Sequence, residues 1–286
     1  MRMDAFLDRL ISLALEEDLG AAGDITTDAL VPMEAQGSAE LIAKERLVLA
    51  GLEAFARVFQ RVDPDVQIEL LFQDGQEVES RTCVARVKGR LRALLTAERT
   101  ALNIVQRTSG IATLAHQVMA AVQGTRLRIL DTRKTAPGMR ALSKLAVRAG
   151  GAYNHRFGLF DGILIKDNHI AAVGGSVREA LRRARANAPQ LVKVEIEVCT
   201  LEQLTEALEE GADVVMLDNM DDALVRRAVE LNAGRVPLEV SGGITLERLP
   251  RLAQLGVDFV SMGALTHSAR AMDLSLEIDQ APSAAP

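Results

Sequence analysis

The chain has 286 residues, 48% hydrophobic and 25% charged, with a formal net charge of −6 and no tryptophan. That length holds one barrel domain with a smaller companion, and with aromatics at only 3% the core must be built from aliphatic side chains. An acidic chain is not a general binder of nucleic acid or of membrane surfaces, so any anionic ligand must be met by a local basic pocket.

Residues 1–20 interleave Phe6, Leu7, Leu10, Ile11 and Leu15 with Asp4, Asp8, Glu16, Glu17 and Asp18, the pattern of an amphipathic helix. A signal peptide carries no acids inside its apolar stretch. No run approaches the roughly 20 apolar residues of a membrane span. Ser38–Val48 reads as a strand and Gly51–Val62 as a helix. Val66–Phe72 and Thr82–Gly89 read as an antiparallel pair joined through a turn at Asp74-Gly75. These elements form an N-terminal α+β sandwich domain over residues 1–112. A long apolar-periodic stretch, Leu94–Val122, broken near Ser109-Gly110, links it to the second half of the chain. Cys83 and Cys199 are far apart, with no CxxC and no histidine at ligand spacing; they suit a reducing cytoplasm better than a disulfide or zinc framework.

The second half alternates short β-branched runs with helical stretches. The runs Leu127–Leu130, Gly162–Ile165, Val192–Val198, Val214–Leu217, Leu238–Val240 and Val257–Val260 give six βα-type units. Helices are expected at about Met139–Val147, Ser176–Ala186, Leu201–Leu208, Asp221–Leu231 and Leu246–Leu255. This order predicts a parallel sheet with helical crossovers, read as a βα-barrel over residues 113–269. Residues 270–286 are expected to return to the N-terminal domain and end in a disordered Ala-, Pro- and Ser-rich tail. A doubly wound open sheet is the alternative, but no GxGxxG follows any predicted strand.

The strand ends hold Arg133, Lys134, Lys166, Glu197, Asp218, Ser241 and Gly263, and in a βα-barrel that rim carries the active site. From Arg126 to Lys166 the local charge reverses: Arg126, Arg128, Arg133, Lys134, Arg140, Lys144, Arg148, His155, Arg156 and Lys166 face only Asp131 and Asp161. Arg140, Lys144 and Arg148, at four-residue spacing, read as a solvated helix face; Arg133, Lys134 and Lys166, at strand ends, do not. Arginine's planar fork matches carboxylates and lysine serves phosphate as a point charge, so the rim suits a ligand with more than one anionic group. Glu197 and Asp218 either neutralise these cations or hold Mg²⁺ with substrate phosphates and water. Glu195 shares a strand face with Glu197, and spacing alone leaves open which reaches the ligand. Ser241-Gly242-Gly243 and Ser261-Met262-Gly263 are glycine turns at the last two strands, where such barrels bind phosphate.

Three stretches carry a family resemblance: Asp131-Thr132-Arg133-Lys134-Thr135-Ala136-Pro137-Gly138-Met139-Arg140, Gly150-Gly151-Ala152-Tyr153-Asn154-His155-Arg156 and Leu164-Ile165-Lys166-Asp167-Asn168-His169. With Glu98-Arg99-Thr100, Leu217-Asp218-Asn219 and Ser241-Gly242-Gly243-Ile244 in support, the chain resembles the quinolinate phosphoribosyltransferases over nearly its whole length. The resemblance implies an incomplete βα-barrel with a sandwich domain, and homodimers with shared active sites, leaving higher homo-oligomers open. It implies transfer of a phosphoribosyl group from 5-phosphoribosyl 1-diphosphate to quinolinate with Mg²⁺, giving nicotinate mononucleotide, pyrophosphate and CO₂ for NAD synthesis. By the family pattern Arg133, His155, Arg156 and Lys166 hold the quinolinate carboxylates, and Arg99 reaches in from the neighbouring subunit. Lys134, Lys166, Glu197 and Asp218 serve the donor and metal, and Ser241, Gly242, Gly243 and Gly263 the phosphate.

Two rivals compete with this reading. A paralogue using a monocarboxylate such as nicotinate would leave one arginine site unpaired. A Schiff-base lyase would use Lys166 as nucleophile, but Lys166 has carboxylates nearby and is better suited to staying charged.

Overall fold

The computed structural model describes residues 3–280, so residues 281–286 of the expected disordered tail lie outside the described residues and Gln280 closes the last strand. The chain divides into two compact units: the first takes residues up to His116, Thr135–Gly151 and Leu265 onward, the second Gln117–Lys134 and Ala152–Ala264.

The chain begins with α1 (Met3–Leu19), α2 (Ile25–Leu30), β1 (Gln36–Ala43), β2 (Leu47–Val48), α3 (Leu52–Val62), β3 (Gln67–Leu70), β4 (Glu77–Val78), β5 (Cys83–Arg90) and α4 (Leu91–Ala121). Then come β6 (Arg128–Leu130), α5 (Arg140–Ala149), β7 (Ile163–Ile165), α6 (Asp167–Ala172), α7 (Val177–Asn187), β8 (Val194–Val198) and α8 (Leu201–Glu209). The rest comprises β9 (Val214–Asp218), α9 (Asp222–Asn232), β10 (Leu238–Ser241), a single 3₁₀ turn, α10 (Leu249–Leu255), β11 (Phe259–Ser261), α11 (Ala264–His267) and β12 (Leu274–Gln280).

In the first unit an antiparallel sheet runs β12-β1-β5-β3. Along β1, Gly37, Ala39, Leu41 and Ala43 are buried at every second residue, the signature of a strand with one face on a core. Against that face α3 buries Leu52, Phe55, Val58 and Phe59, at helical spacing, with the Phe55 and Phe59 rings edge to face at 5.0 Å.

Three expectations change here. The single strand Ser38–Val48 is two: β1 stays in the main sheet, and β2 pairs with β4. Between them Glu45 turns aside, where its carboxylate accepts the Asp273 N–H at 2.9 Å and binds Arg270. The turn at Asp74-Gly75 does not close a simple hairpin, because β4 intervenes between β3 and β5. It delivers Asp74 to the start of α3, where the carboxylate accepts the N–H groups of Gly51 (2.9 Å) and Leu52 (3.1 Å). The break at Ser109-Gly110 is absent, and α4 is one helix of 31 residues. Ser109 Oγ instead accepts the Ala50 N–H at 3.1 Å, and a Cβ on Gly110 would lie 1.7 Å from the Arg270 carbonyl oxygen. Both residues serve close packing, not chain reversal.

Lys144 corrects the solvated-face reading of α5. Arg148 is exposed, but Lys144 is only 2% exposed, because it shares the inward side of the helix with Ala141 and Val147.

The second unit is an incomplete parallel βα-barrel. Its sheet order, β6-β11-β10-β9-β8-β7, follows the sequence except that the first strand pairs with the last. The result is a cycle left open between β6 and β7. At that gap the chain around Tyr153 bridges β6: its N–H donates to the Ile129 carbonyl (2.8 Å) and its carbonyl accepts the Asp131 N–H (3.0 Å). At the opposite rim two sequence echoes, Gly211-Ala212-Asp213 and Gly256-Val257-Asp258, do one job. Asp213 accepts the Val194 N–H (2.7 Å) and Asp258 the Leu238 N–H (2.9 Å), tying each strand start to its neighbour.

Candidate active site

All six barrel strands contribute, at or just beyond their C-terminal ends, to one cavity of about 510 Å³ in the second unit. Thr132, Arg133 and Lys134 follow β6, His155 and Arg156 precede β7, and Lys166 directly follows it. Glu197 comes from β8, Asp218 and Asn219 from β9, Ser241, Gly242 and Gly243 from β10, and Ser261 from β11. Parallel strands all end on the same side of a barrel, so residues distant in sequence converge there by topology alone.

The walls differ in charge. On the β6–β7 side Arg133 and Arg156 lie close together. Burial, and next the positive charge of Arg133, draw the Arg156 pKa down, with Glu195 and Asp161 opposing. Arg156 is steered by a hydrogen bond from Nη1 to the Gly162 carbonyl at 2.8 Å. Asp161 fastens the intervening loop, accepting the N–H groups of Phe157 (2.6 Å) and Gly158 (2.9 Å). On the β8–β9 side the field is negative: burial raises the Cys199 thiol, and Asp218, Glu197 and Asp167 push it further. Lys166 reaches across to form an ion pair with Glu197. That pairing engages the lysine nitrogen with a carboxylate, which works against the Schiff-base reading.

Asp218-Asn219 and Ser241-Gly242-Gly243 interlock. Asn219 donates its N–H to the Ser241 carbonyl (2.9 Å) and its side-chain amide to Asp218 Oδ2 (2.7 Å). Gly242, at φ +93°, has no room for a side chain: a Cβ there would sit 2.2 Å from Asn219 Oδ1. The glycine thus serves the carboxylate's amide support as well as open backbone.

Of the residues expected at the site, Arg133, Lys134, His155, Arg156, Lys166, Glu197, Asp218, Ser241, Gly242 and Gly243 line this cavity. Gly263 lies two residues beyond the end of β11 and is not among the lining residues, and Arg99 is exposed on α4 in the first unit. The choice between Glu195 and Glu197 resolves in space: Glu197 lines the cavity, whereas Glu195 makes a contact of 3.1 Å with His155 Nε2. Glu239, absent from the residues expected at the site, joins that buried contact with Oε2 3.7 Å from His155 Nε2. Its signal in the sequence is a glutamate between Leu238 and Val240 in a strand buried on both faces, where an ionised side chain is costly.

For Mg²⁺, the donor set fits: Glu197 and Asp218 are oxygen ligands on one cavity, few enough to leave positions for phosphate and water. The His155–Glu195–Glu239 group also brings three potential ligand atoms within 4.8 Å of one another.

Fold and site together define a barrel with a guanidinium wall and a carboxylate wall on one cavity at the strand ends, the arrangement of an enzyme for charged substrates. Residues 24–109 match the N-terminal domain of quinolinate phosphoribosyl transferase and residues 111–277 its C-terminal domain, so the chain belongs to that family. It is 44% identical over 272 residues to the probable nicotinate-nucleotide pyrophosphorylase (carboxylating) of Bacillus subtilis, covering 95% of this chain and 93% of that one. Among solved structures it is similar to NadC from Streptococcus pyogenes, with TM-score 0.92, 43% identity and coverage of 96% of this chain and 97% of that one. The nicotinate-nucleotide pyrophosphorylase from Francisella tularensis gives a TM-score of 0.90 at 39% identity, covering 98% of each chain.

Proposed function

We infer that this chain transfers the phosphoribosyl group of 5-phosphoribosyl 1-diphosphate to quinolinate with decarboxylation, giving nicotinate mononucleotide, pyrophosphate and CO₂ in NAD biosynthesis. The observation that carries the reading is the close pair Arg133 and Arg156 in a family member. Two guanidinium groups lining one cavity suit a ligand with two anionic groups, and quinolinate is a dicarboxylate.

On this reading Arg133, Arg156 and Lys166 hold the pyridine carboxylates, His155 lines the cavity with its ring nitrogens engaged by Glu195 and the Arg156 backbone, and Lys134 and Lys166 face the diphosphate. Ser241, Gly242 and Gly243 take the 5-phosphate, a role the family pattern extends to Gly263. Mg²⁺ would be held by Glu197 and Asp218 together with the donor; when bound it neutralises charge on the diphosphate. The ring nitrogen displaces diphosphate at the anomeric carbon, the C–O bond breaking as the C–N bond forms through an oxocarbenium-like state. Fixed cations around the leaving oxygens lower that barrier. The carboxylate next to the new pyridinium then leaves as CO₂, its bonding electrons drawn toward the cationic ring, and a proton replaces it. Neither step needs a dedicated base to ionise the nucleophile.

The family resemblance and the exposed position of Arg99 support a homodimer in which that residue completes the partner's site. No helix among the described residues is long and apolar enough to cross a membrane, and the free thiols of Cys83 and Cys199 suit the cytoplasm. The test is release of CO₂ and pyrophosphate from quinolinate and phosphoribosyl diphosphate, with and without Mg²⁺. Equal, Mg²⁺-dependent amounts of both are expected; pyrophosphate release with nicotinate but not quinolinate would move the chain to the monocarboxylate paralogue.

A further inference from the structure

Beneath the cavity lies a polar group where barrels of this kind normally stack aliphatic layers. Glu239 is 2% exposed, and it and Glu195 approach the same nitrogen of His155, at 3.7 Å and 3.1 Å. The other ring nitrogen, Nδ1, accepts the backbone N–H of Arg156 at 2.7 Å. The His155 backbone N–H is itself donated to the buried carboxylate of Asp131 at 2.8 Å. The ring is therefore clamped between the two glutamates and the chain that carries Arg156.

Two chemistries fit three such ligands, a bound divalent cation or a shared proton. The hydrogen bonds decide between them. Because Nδ1 accepts, a neutral ring carries its proton on Nε2, the atom a metal would require; metal-bound histidines usually donate from their second nitrogen. The glutamates leave room for that proton. Oε1 of Glu195 and Oε1 of Glu239 are both buried without a hydrogen-bond partner among the described residues, so neither has a donor unless one of the two acids supplies its own proton or a bound species does. Burial foremost, and then the charge of Glu195, push Glu239 up to about 8; His155 opposes this, as does Ser261, whose hydroxyl is near without bonding geometry.

We propose that Glu239 is a positioning residue for the pyridine substrate: as a neutral acid it donates to Glu195, which orients the His155 ring and so holds Arg156 at the cavity. The inference rests on the reading that Arg156 takes a substrate carboxylate.

Full-length Glu239→Gln and Glu239→Met variants test it, with quinolinate affinity measured by calorimetry and KM measured separately for quinolinate and phosphoribosyl diphosphate. The glutamine amide can replace the O–H donor, so Glu239→Gln should keep both quinolinate values within about threefold, whereas Glu239→Met, lacking a donor to a charged partner, should weaken them about tenfold or more. The KM for phosphoribosyl diphosphate should stay within about twofold in both, since a merely structural lesion would move the two substrates together. Equal damage from Gln and Met, a parallel rise in both KM values, or no effect of Met would overturn the proposal. So would stoichiometric Zn²⁺ or Mn²⁺ binding that Glu239→Gln abolishes. If Met does not fold, Gln alone decides, because an ionised Glu239 predicts lost quinolinate affinity on neutralisation. Wild-type protein that binds quinolinate without turning it over would defeat the transferase reading while the affinity comparison still judges Glu239; failure to bind it would defeat both.

Discussion

At the residue scale, Glu239 couples the barrel to pH. Its surroundings are the Glu195 carboxyl from β8, His155 from the segment before β7, the Ser261 hydroxyl from β11 and the apolar Met216 beside it on β9. Its folded pKa of about 8 lies above the ordinary 4.5, so the native state keeps a proton that the unfolded chain has lost. Stability from this group is full below 4.5 and declines as pH rises toward 8. Glu239→Gln has no proton to lose, so its melting temperature should gain on the wild type progressively across that window; a pH-independent difference would show that Glu239 ionises normally. Gly242 sets a different constraint. Gly242→Ala should lose most activity and also lower the melting temperature, because alanine is strained at φ +93° and its Cβ displaces the Asn219 amide that supports Asp218. Steady-state kinetics alongside a thermal melt checks both halves of that statement.

Among elements, legibility tracks the directness of the signal. The amphipathic α1 and α3 and the six barrel strands can be read from periodicity, because each needs only a local pattern of burial. Features set by tertiary partners cannot. The Ser109-Gly110 pair looks like a helix end in sequence, yet the glycine is there because the Arg270 carbonyl presses on α4. Lys144 looks solvated because its burial depends on what packs over α5. The site is readable as far as residues sit at strand ends, Arg133, Lys166, Glu197 and Asp218 among them. Glu239 is not, since it lies inside a strand and its partners come from elsewhere in the barrel. Gly110→Ala should destabilise the protein by about 1–3 kcal/mol or more, as an overpacked contact does. Denaturant melts would measure this, and a change under about 0.5 kcal/mol would mean the segment at Arg270 can give way.

For the whole molecule, the proposed shared site makes a prediction that single chains cannot meet. Arg99→Ala and Arg133→Ala variants should each lose quinolinate binding. Mixing them through reversible denaturation should restore up to about a quarter of wild-type activity per site, carried by hybrid dimers in which one site keeps both arginines. Absence of any rescue in demonstrably exchanged dimers would count against Arg99 acting across subunits. The discontinuity of the first unit has a consequence of another kind. Its sheet is completed only when β12 pairs with β1, in a register joining Gly37 to Gln280 and Ala43 to Leu274. During synthesis the N-terminal elements emerge first. Every barrel strand leaves the ribosome before β12 does. Until then β1 offers an open edge to any other nascent strand. The half of the protein that is translated first is therefore finished last, because its sheet cannot close until β12 has followed every barrel strand out of the ribosome.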